Sequence, residues 1–154
     1  MRRRSALALA GVAAVAVAVA VPLATTGGGP ASLSRPAYAG RVTAIYQAVG
    51  DRFRGAKVSS QGLRAMTSAL DRAASALAEL RPPSDAKRAN GELVSATRDY
   101  ARQVDLVRAS LDFGDPATLE AHLREVTAPR AIERVLRELR AKGYRIPVAV
   151  VALR

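Results

Sequence analysis

The sequence contains no cysteine, and this absence excludes several kinds of chemistry at once. A chain without cysteine forms no disulfide, offers no thiolate to zinc and carries no thiol nucleophile. It also lacks the acylated cysteine that anchors a bacterial lipoprotein. An attachment to a membrane would therefore have to come from the peptide itself.

Histidine occurs only once, as His122. Common zinc and iron sites use several histidines or cysteines, and di-iron bundles repeat a Glu-x-x-His motif that this chain lacks. Phosphate-binding glycine motifs and the Gly-x-Ser-x-Gly motif are also absent from the sequence. We therefore predict no catalytic residue, no cofactor and no metal, and we interpret His122 as a helix-surface or partly packed residue.

Most carboxylates lie three or four residues from an arginine, as Glu133 does from Arg137 and Glu138 from Arg134. This spacing is typical of ion pairs on a helix surface rather than of paired catalytic acids. Aromatic residues are also few, and those at helical spacing, such as Tyr38 and Tyr46, are typical of a core. The alternative is that these two tyrosines line a small apolar pocket.

Positive charge dominates the sequence, with 24 basic and 13 acidic residues giving a net charge of +11. Residues 1–39 hold four arginines and no acid, so the remainder carries 20 − 13 = +7. Such a surplus favours anionic partners, such as lipid headgroups or wall polymers, and Arg98, Arg102 and Arg108 recur along one predicted helix. The scattered aromatic residues disfavour nucleic acid as a partner.

The N-terminus has the order of an export signal. Arg2, Arg3 and Arg4 precede an uncharged run over residues 5–26, whose centre at 6–21 is almost entirely alanine, valine and leucine. Because positive residues stay in the cytoplasm, residues 40–154 are expected to be extracytoplasmic. Nucleic acid is disfavoured on this ground too.

Two fates of this segment stay open. The run of 22 uncharged residues reaches the length of about 20 that spans a bilayer, which predicts an uncleaved transmembrane anchor. The small-x-small sequence Ala37-Tyr38-Ala39 before Gly40 predicts instead a signal peptide that is cleaved, and a secreted product. In both cases residues 1–26 are the signal or anchor.

Residues 27–37 are rich in glycine, proline and serine and are predicted to form a flexible linker. Residues 38–143 then show apolar side chains at helical spacing. Three stripes are the clearest: Tyr38, Val42, Ile45, Val49 and Phe53; Leu63, Met66, Leu70, Ala73, Leu77 and Leu80; and Leu93, Thr97, Tyr100, Val104, Val107 and Leu111. They predict three amphipathic helices.

Turn signals separate these helices. Pro82 and Pro83 must end the second helix, and Ser84 or Asp85 is predicted to cap the third. Gly114, Asp115 and Pro116 indicate a helix end, an N-cap and a first helical residue. A fourth helix with Leu119, Leu123 and Val126 follows.

Pro129 either kinks the fourth helix or opens a fifth, which carries Ile132, Val135, Leu136 and Leu139 and ends at Gly143. The predicted fold is all-α, an antiparallel bundle of about four helices, or five if Pro129 opens one. The apolar tail at 144–154 is predicted to be extended. It either lies in a groove of the bundle or forms a strand that binds lipid or a partner.

Three segments carry a resemblance. The run from Leu77 to Pro83, the helix that follows to Asp105, and the closing run from Leu139 to Tyr144 resemble uncharacterised exported, lipoprotein-like helical proteins of high-GC bacteria. The resemblance spans about residues 38–145. It implies an envelope-associated helical bundle without an established activity.

These observations predict a non-enzymatic extracytoplasmic helical module that binds a protein or lipid partner at the cell envelope. One alternative is an electrostatic binder of anionic lipid or wall polymer. Another is an enzyme of unrecognised class that uses carboxylates or His122.

Overall fold

The computed structural model describes residues 31–114 and 116–149, and the regular secondary structure in these ranges is entirely helical. The α-helices are α1 (Arg35–Gly55), α2 (Ser60–Glu79), α3 (Lys87–Phe113), α4 (Pro116–Arg124) and α5 (Ala128–Ala141). A single 3₁₀ turn, Ser84–Ala86, precedes α3. The prediction of an all-α fold is confirmed. The predicted export signal or anchor at 1–26 and the predicted cap Asp115 lie outside the described residues.

The predicted end of the linker at residue 37 is wrong, because α1 already begins at Arg35. The Ser34 side chain accepts a hydrogen bond from the backbone N–H of Ala37 at 3.4 Å, and Pro36 occupies the first turn. Serine before a helix and proline at its start are both favourable, because the first helical amides lack partners within the helix. The end of the predicted linker therefore forms the first turn of α1.

The turn between α1 and α2 is tight. Ser59 caps α2 by accepting a hydrogen bond from the N–H of Gly62 at 3.1 Å. A Cβ atom at position 62 would lie 1.9 Å from the carbonyl oxygen of Lys57, so only glycine fits there. This close approach of Gly62 to the Lys57 carbonyl group helps to position the start of α2 relative to the end of α1.

Pro82 and Pro83 end α2 as predicted, but the predicted cap at Ser84 or Asp85 is wrong. The chain forms the 3₁₀ turn instead, and α3 begins at Lys87 without a side-chain cap. The Asp85 carboxylate is engaged by Arg35 and Tyr144. Those tertiary contacts compete with a local cap for the same oxygens.

The third helix is the centre of the molecule, because it packs against α2, α4 and α5. It also contacts α1 through side chains, with the rings of Phe53 and Tyr100 5.6 Å apart. Burial extends around more than the predicted stripe and includes Ala89, Asn90, Val94, Ala96, Ala101 and Ser110. Each fully buried large apolar side chain contributes about 1.5–3 kcal/mol to folding.

The last two helices differ sharply in burial. Pro129 lies in the first turn of α5, so it opens a fifth helix rather than kinking the fourth. The apolar residues of α5 are almost fully enclosed: Ile132, Val135, Leu136 and Leu139. By contrast, no residue of α4 is buried. Gly114 and Gly143, at the ends of α3 and α5, have positive φ angles of 68° and 89°.

The tail packs against the bundle over residues 144–149. Tyr144, Ile146 and Val148 are buried and belong to the same apolar core as the helices. Arg140 donates hydrogen bonds to the carbonyl oxygens of Ile146, at 2.9 Å, and of Val148. For residues 144–149, the structure agrees with the prediction that the tail lies against the bundle.

No helix within 31–114 and 116–149 combines the length and the hydropathy needed to cross a bilayer. The apolar run at 6–21 lies outside these ranges.

Candidate functional site

The Tyr38 ring is completely buried, and its hydroxyl donates a hydrogen bond to Oδ1 of Asn90 at 3.1 Å. The side-chain amide of Asn90 donates in turn to the carbonyl oxygen of Leu77 at 3.0 Å. Burial raises the pKa of Tyr38, which keeps the hydroxyl protonated. This tyrosine therefore joins α1, α2 and α3 as a core residue.

Tyr46 is also buried, with its hydroxyl 2.8 Å from Oγ1 of Thr97. The Thr97 hydroxyl already donates its single hydrogen to the carbonyl oxygen of Leu93 at 2.7 Å, so Tyr46 is the donor. Burial raises the pKa of Tyr46 as well. Both tyrosines thus fill the core, and neither lines an open pocket.

His122 lies against α3, where its Nδ1 atom is 2.6 Å from Oγ of Ser110. A serine beside a histidine is the start of a nucleophile and base pair. However, the Ser110 hydroxyl also lies 3.0 Å from the carbonyl oxygen of Leu106 and has only one hydrogen to donate. When that hydrogen points to the carbonyl, the imidazole must be the donor and cannot act as the base.

The surroundings of this pair favour a structural role. Ser110 is only 3% exposed, so a substrate has little access to its oxygen. The neighbouring Glu120 bonds to Arg124 rather than orienting the imidazole. The hydrogen bond between Ser110 and His122 therefore ties the peripheral helix α4 to the central helix α3. Within the part of the chain that the structure describes, no cluster of acids and histidine could hold a metal ion.

The ion pairs predicted on α5 are wrong in their partners. Glu133 pairs with Arg140 at 2.8 Å rather than with Arg137, and Glu138 pairs with Lys142 at 2.8 Å rather than with Arg134. Arg140 donates hydrogen bonds to carbonyl oxygens of the tail, and in this position it also pairs with Glu133. Tertiary contacts thus override the simple helical spacing.

The arginines of α3 are mostly neutralised. Arg102 pairs with Asp99, and Arg108 pairs with Asp105 at 2.8 Å and with Asp112 at 2.6 Å. Partly buried Arg108 gains a raised pKa, first from its hydrogen bond to Asp105. Two of the three arginines of the predicted basic stripe are therefore paired with acids of the same helix, and Arg98 has no acidic partner among the described residues.

A cluster of polar side chains joins the start of α1, the turn before α3 and the C-terminal tail. The Asp85 carboxylate accepts hydrogen bonds from Arg35 at 2.6 Å and from the Tyr144 hydroxyl at 2.7 Å. The Tyr144 ring packs edge-on against Tyr38, with 5.7 Å between centroids. The Tyr144 hydrogen bond and the positive Arg35 lower the pKa of Asp85.

Two further arginines without ion pairs line a shallow groove between α1 and α2, of about 360 Å³. We call this the α1–α2 groove, lined by Ile45, Ala48, Val49, Arg52, Ala69, Arg72, Ala73 and Ala76. Neither Arg52 nor Arg72 has an acidic partner among the described residues. The groove therefore combines a floor of small apolar side chains with two free guanidinium groups.

Among the described residues, four large apolar side chains are also exposed, and we call them the distal patch: Val58, Leu106, Phe113 and Leu123. Val58 precedes α2 and Phe113 ends α3, so these two lie at the opposite end of the bundle from the start of α1. Phe113 is 86% exposed although it is the largest of them. A hydrogen bond from Ser60 to Asp112 brings the start of α2, beside Val58, to this end of α3.

Sequence reasoning did not find either surface. Arg41, Ile45, Ala48 and Arg52 recur at helical spacing and could have indicated the α1 side of the groove. The α2 side cannot be placed without knowing how the two helices pack.

No family model matches the chain, and no curated protein and no solved structure matches it. The resemblance to exported helical proteins therefore stays a prediction.

Proposed function

We propose that this chain is a non-enzymatic module of the cell envelope, anchored in the membrane by the uncharged run at 5–26 and presenting its helical bundle on the extracytoplasmic side. The order of Arg2, Arg3 and Arg4 before that run supports this orientation. The bundle then offers binding surfaces to a partner rather than a reaction centre.

One observation carries the anchored form over the secreted form. The candidate cleavage sequence Ala37-Tyr38-Ala39 lies inside α1, and Tyr38 and Ala39 are buried in the core. Cleavage before Gly40 would remove the Tyr38 ring and leave Oδ1 of buried Asn90 without its donor. Removing a buried aromatic side chain costs about 3–5 kcal/mol, a large share of the stability of a small domain.

The distal patch is the proposed contact surface for a protein partner. Large apolar side chains scattered singly are ordinary on a surface, but several at one end of a small bundle favour an interaction site. The patch lies far from the start of α1, where the anchor segment joins the bundle. It is thus placed to meet a protein rather than the chain's own anchor.

The first test is the mass and fractionation of the natively expressed protein. We expect an intact N-terminus in the membrane fraction. An Ala37→Leu variant is the control, because position 37 is exposed and leucine there would block cleavage. If the natural protein begins at Gly40 and the variant does not, the anchored form is wrong.

The partner surface is tested in intact cells with a photoreactive amino acid at Phe113. We expect a protein crosslink from this position and none from the exposed position Ser95 on the same helix. Equal crosslinking from both positions would remove the argument for the distal patch. Turnover by the purified full chain in a broad hydrolase screen, abolished by His122→Ala, would favour the enzyme alternative instead.

A further inference from the structure

We propose that the α1–α2 groove is a membrane-contact face that binds anionic phospholipid, with Arg52 and Arg72 holding lipid phosphates. This inference rests on the proposed anchoring of the chain in the membrane. It goes further by assigning the lipid class and the face of the bundle that meets it.

The α1 side of the face is a regular stripe. Arg41, Ile45, Ala48 and Arg52 are separated by four, three and four residues, which places them along one side of the helix. Arg41 also has no acidic partner among the described residues. Arg72 faces this stripe from α2 across the groove.

The nearby acids do not cancel this charge. Asp51, the only acid of α1, is bonded to Arg54. Neighbouring residues of a helix point about 100° apart, and neither Asp51 nor Asp71 forms an ion pair with Arg52 or Arg72. Guanidinium groups left free in this way can bind phosphate oxygens through two parallel hydrogen bonds.

The floor of the groove complements the rest of a phospholipid. Alanines on both helices line the groove together with the two arginines and make much of its surface apolar. A phospholipid presents an anionic phosphate beside apolar carbon. The groove therefore offers both kinds of surface, guanidinium groups and apolar side chains.

The length of the connecting chain lets this face reach the lipid surface. Seven residues, 27 to 33, separate the uncharged run at 5–26 from the Ser34 cap and span at most about 25 Å. The 21 residues of α1 measure about 30 Å. The bundle can thus lie along the membrane on the α1–α2 face, and anionic lipid is the one anionic surface that the anchor always brings near.

The exposed face of α5 provides a matched comparison. Arg130 and Arg137 are exposed and have no acidic partner among the described residues, but they do not line the α1–α2 groove. Replacing Arg130 and Arg137 changes the net charge as much as replacing Arg52 and Arg72. If the groove is the binding face, only the replacement of Arg52 and Arg72 should weaken lipid contact.

The experiment uses the full chain reconstituted into vesicles, with the absence of natural cysteine allowing a single label. An environment-sensitive fluorophore is attached at Ala48→Cys on the face, or at Ser95→Cys elsewhere on the bundle. Vesicles contain phosphatidylcholine alone or phosphatidylcholine with phosphatidylglycerol. Retention of the protein by the vesicles is measured in the same samples.

We expect a blue shift at Ala48→Cys that requires phosphatidylglycerol, weakens with salt and is absent at Ser95→Cys. Arg52→Gln with Arg72→Gln should weaken the contact about 30-fold, roughly fivefold for each charge. Arg130→Gln with Arg137→Gln should leave it unchanged. Protein that does not stay with the vesicles would contradict the anchoring proposal itself.

Three results from retained protein would overturn this inference alone. One is no shift at Ala48→Cys with phosphatidylglycerol, and another is an equal shift in pure phosphatidylcholine. The third is an equal weakening of lipid contact in the two double arginine variants, which would show that the contact depends on net charge rather than on the groove. A shift seen only in native membranes would assign the groove to a protein.

Discussion

The polar side chains buried within α3 show how a mostly apolar core keeps its helices in register. Asn90, Thr97 and Ser110 are the buried polar residues among those described, and each is hydrogen-bonded. An unpaired polar group in a core is costly, so each bond favours one arrangement of the neighbouring helix. Tyr38 and Tyr46 therefore position α1 as well as filling space.

The two tyrosines should differ in importance although their environments look alike. Tyr38→Phe leaves Oδ1 of Asn90 buried without a donor and is expected to lower the free energy of unfolding by about 1–3 kcal/mol. Tyr46→Phe should cost about 1 kcal/mol or less, because the Thr97 hydroxyl still donates to Leu93.

Urea unfolding of the full chain in detergent micelles, followed by far-UV circular dichroism, measures both losses. The matched tyrosine to phenylalanine changes keep the ring and delete one oxygen each. A larger loss from Tyr46→Phe would show that the proton assignment at Thr97 is wrong.

At the scale of elements, α4 and α5 are built to different degrees of stability. The apolar row of α5 is enclosed, whereas α4 has no buried residue and is tied to α3 through Ser110 and His122. Elements with few buried contacts open locally at little cost in free energy. The fourth helix should therefore open before the rest of the bundle.

His122→Ala is expected to raise amide hydrogen exchange in α4 while lowering the global free energy of unfolding by less than about 1 kcal/mol. Leu136→Ala in α5 is the contrasting variant and should cost about 2–5 kcal/mol globally, because Leu136 is fully buried. Exchange that rises across all helices in His122→Ala would contradict this separation.

Much of the helical pattern could be predicted from the sequence. Periodic apolar residues and the prolines at 82, 83 and 129 locate α2, α3 and α5, because helical spacing and the missing proline amide act locally. The sequence predicts too late a start for α1, since a serine and a proline that begin a helix also occur in linkers. Local chemistry alone does not separate the two.

The surfaces could not be predicted in the same way. Whether Arg102 or Arg52 stays free depends on which acids lie within reach in the folded chain. The pairing of Glu133 with Arg140 could not be predicted, because hydrogen bonds to the tail position the Arg140 side chain. Both results depend on the packing of distant segments, about which helical spacing carries no information.

At the scale of the whole molecule, Asp85 connects three distant parts of the chain. Its carboxylate binds Arg35 at the start of α1 and Tyr144 in the tail, while Asp85 itself belongs to the turn before α3. The hydrogen bond from Tyr144 and the charge of Arg35 hold the pKa of Asp85 below its usual value of 3.8.

This lowered pKa gives a pH dependence with a definite sign. A carboxyl group with a lower pKa in the folded state stabilises it above the unfolded pKa and loses that contribution as pH falls through the folded pKa. Unfolding of the natural chain should thus become easier below about pH 4. Asp85→Asn should be less stable at neutral pH and should show a flatter acid dependence.

Glu138, whose pKa Lys142 lowers by a hydrogen bond, leaves a residual slope in that variant. Urea midpoints measured from neutral to acidic pH compare the two proteins. An Asp85→Asn variant with the same acid slope as the natural chain would show that this carboxylate does not link the three segments.

The position of α3 at the centre also has a consequence for the order in which the protein forms. The hydrogen-bond partners of Tyr38 and Tyr46 lie 52 and 51 residues further along the chain. Synthesis at about 5–20 residues per second means that α1 exists for about 3–10 s before Asn90 and Thr97 follow. During that interval α2 can already pack against α1, but the hydroxyls of Tyr38 and Tyr46 have no native hydrogen-bond partner until α3 is made.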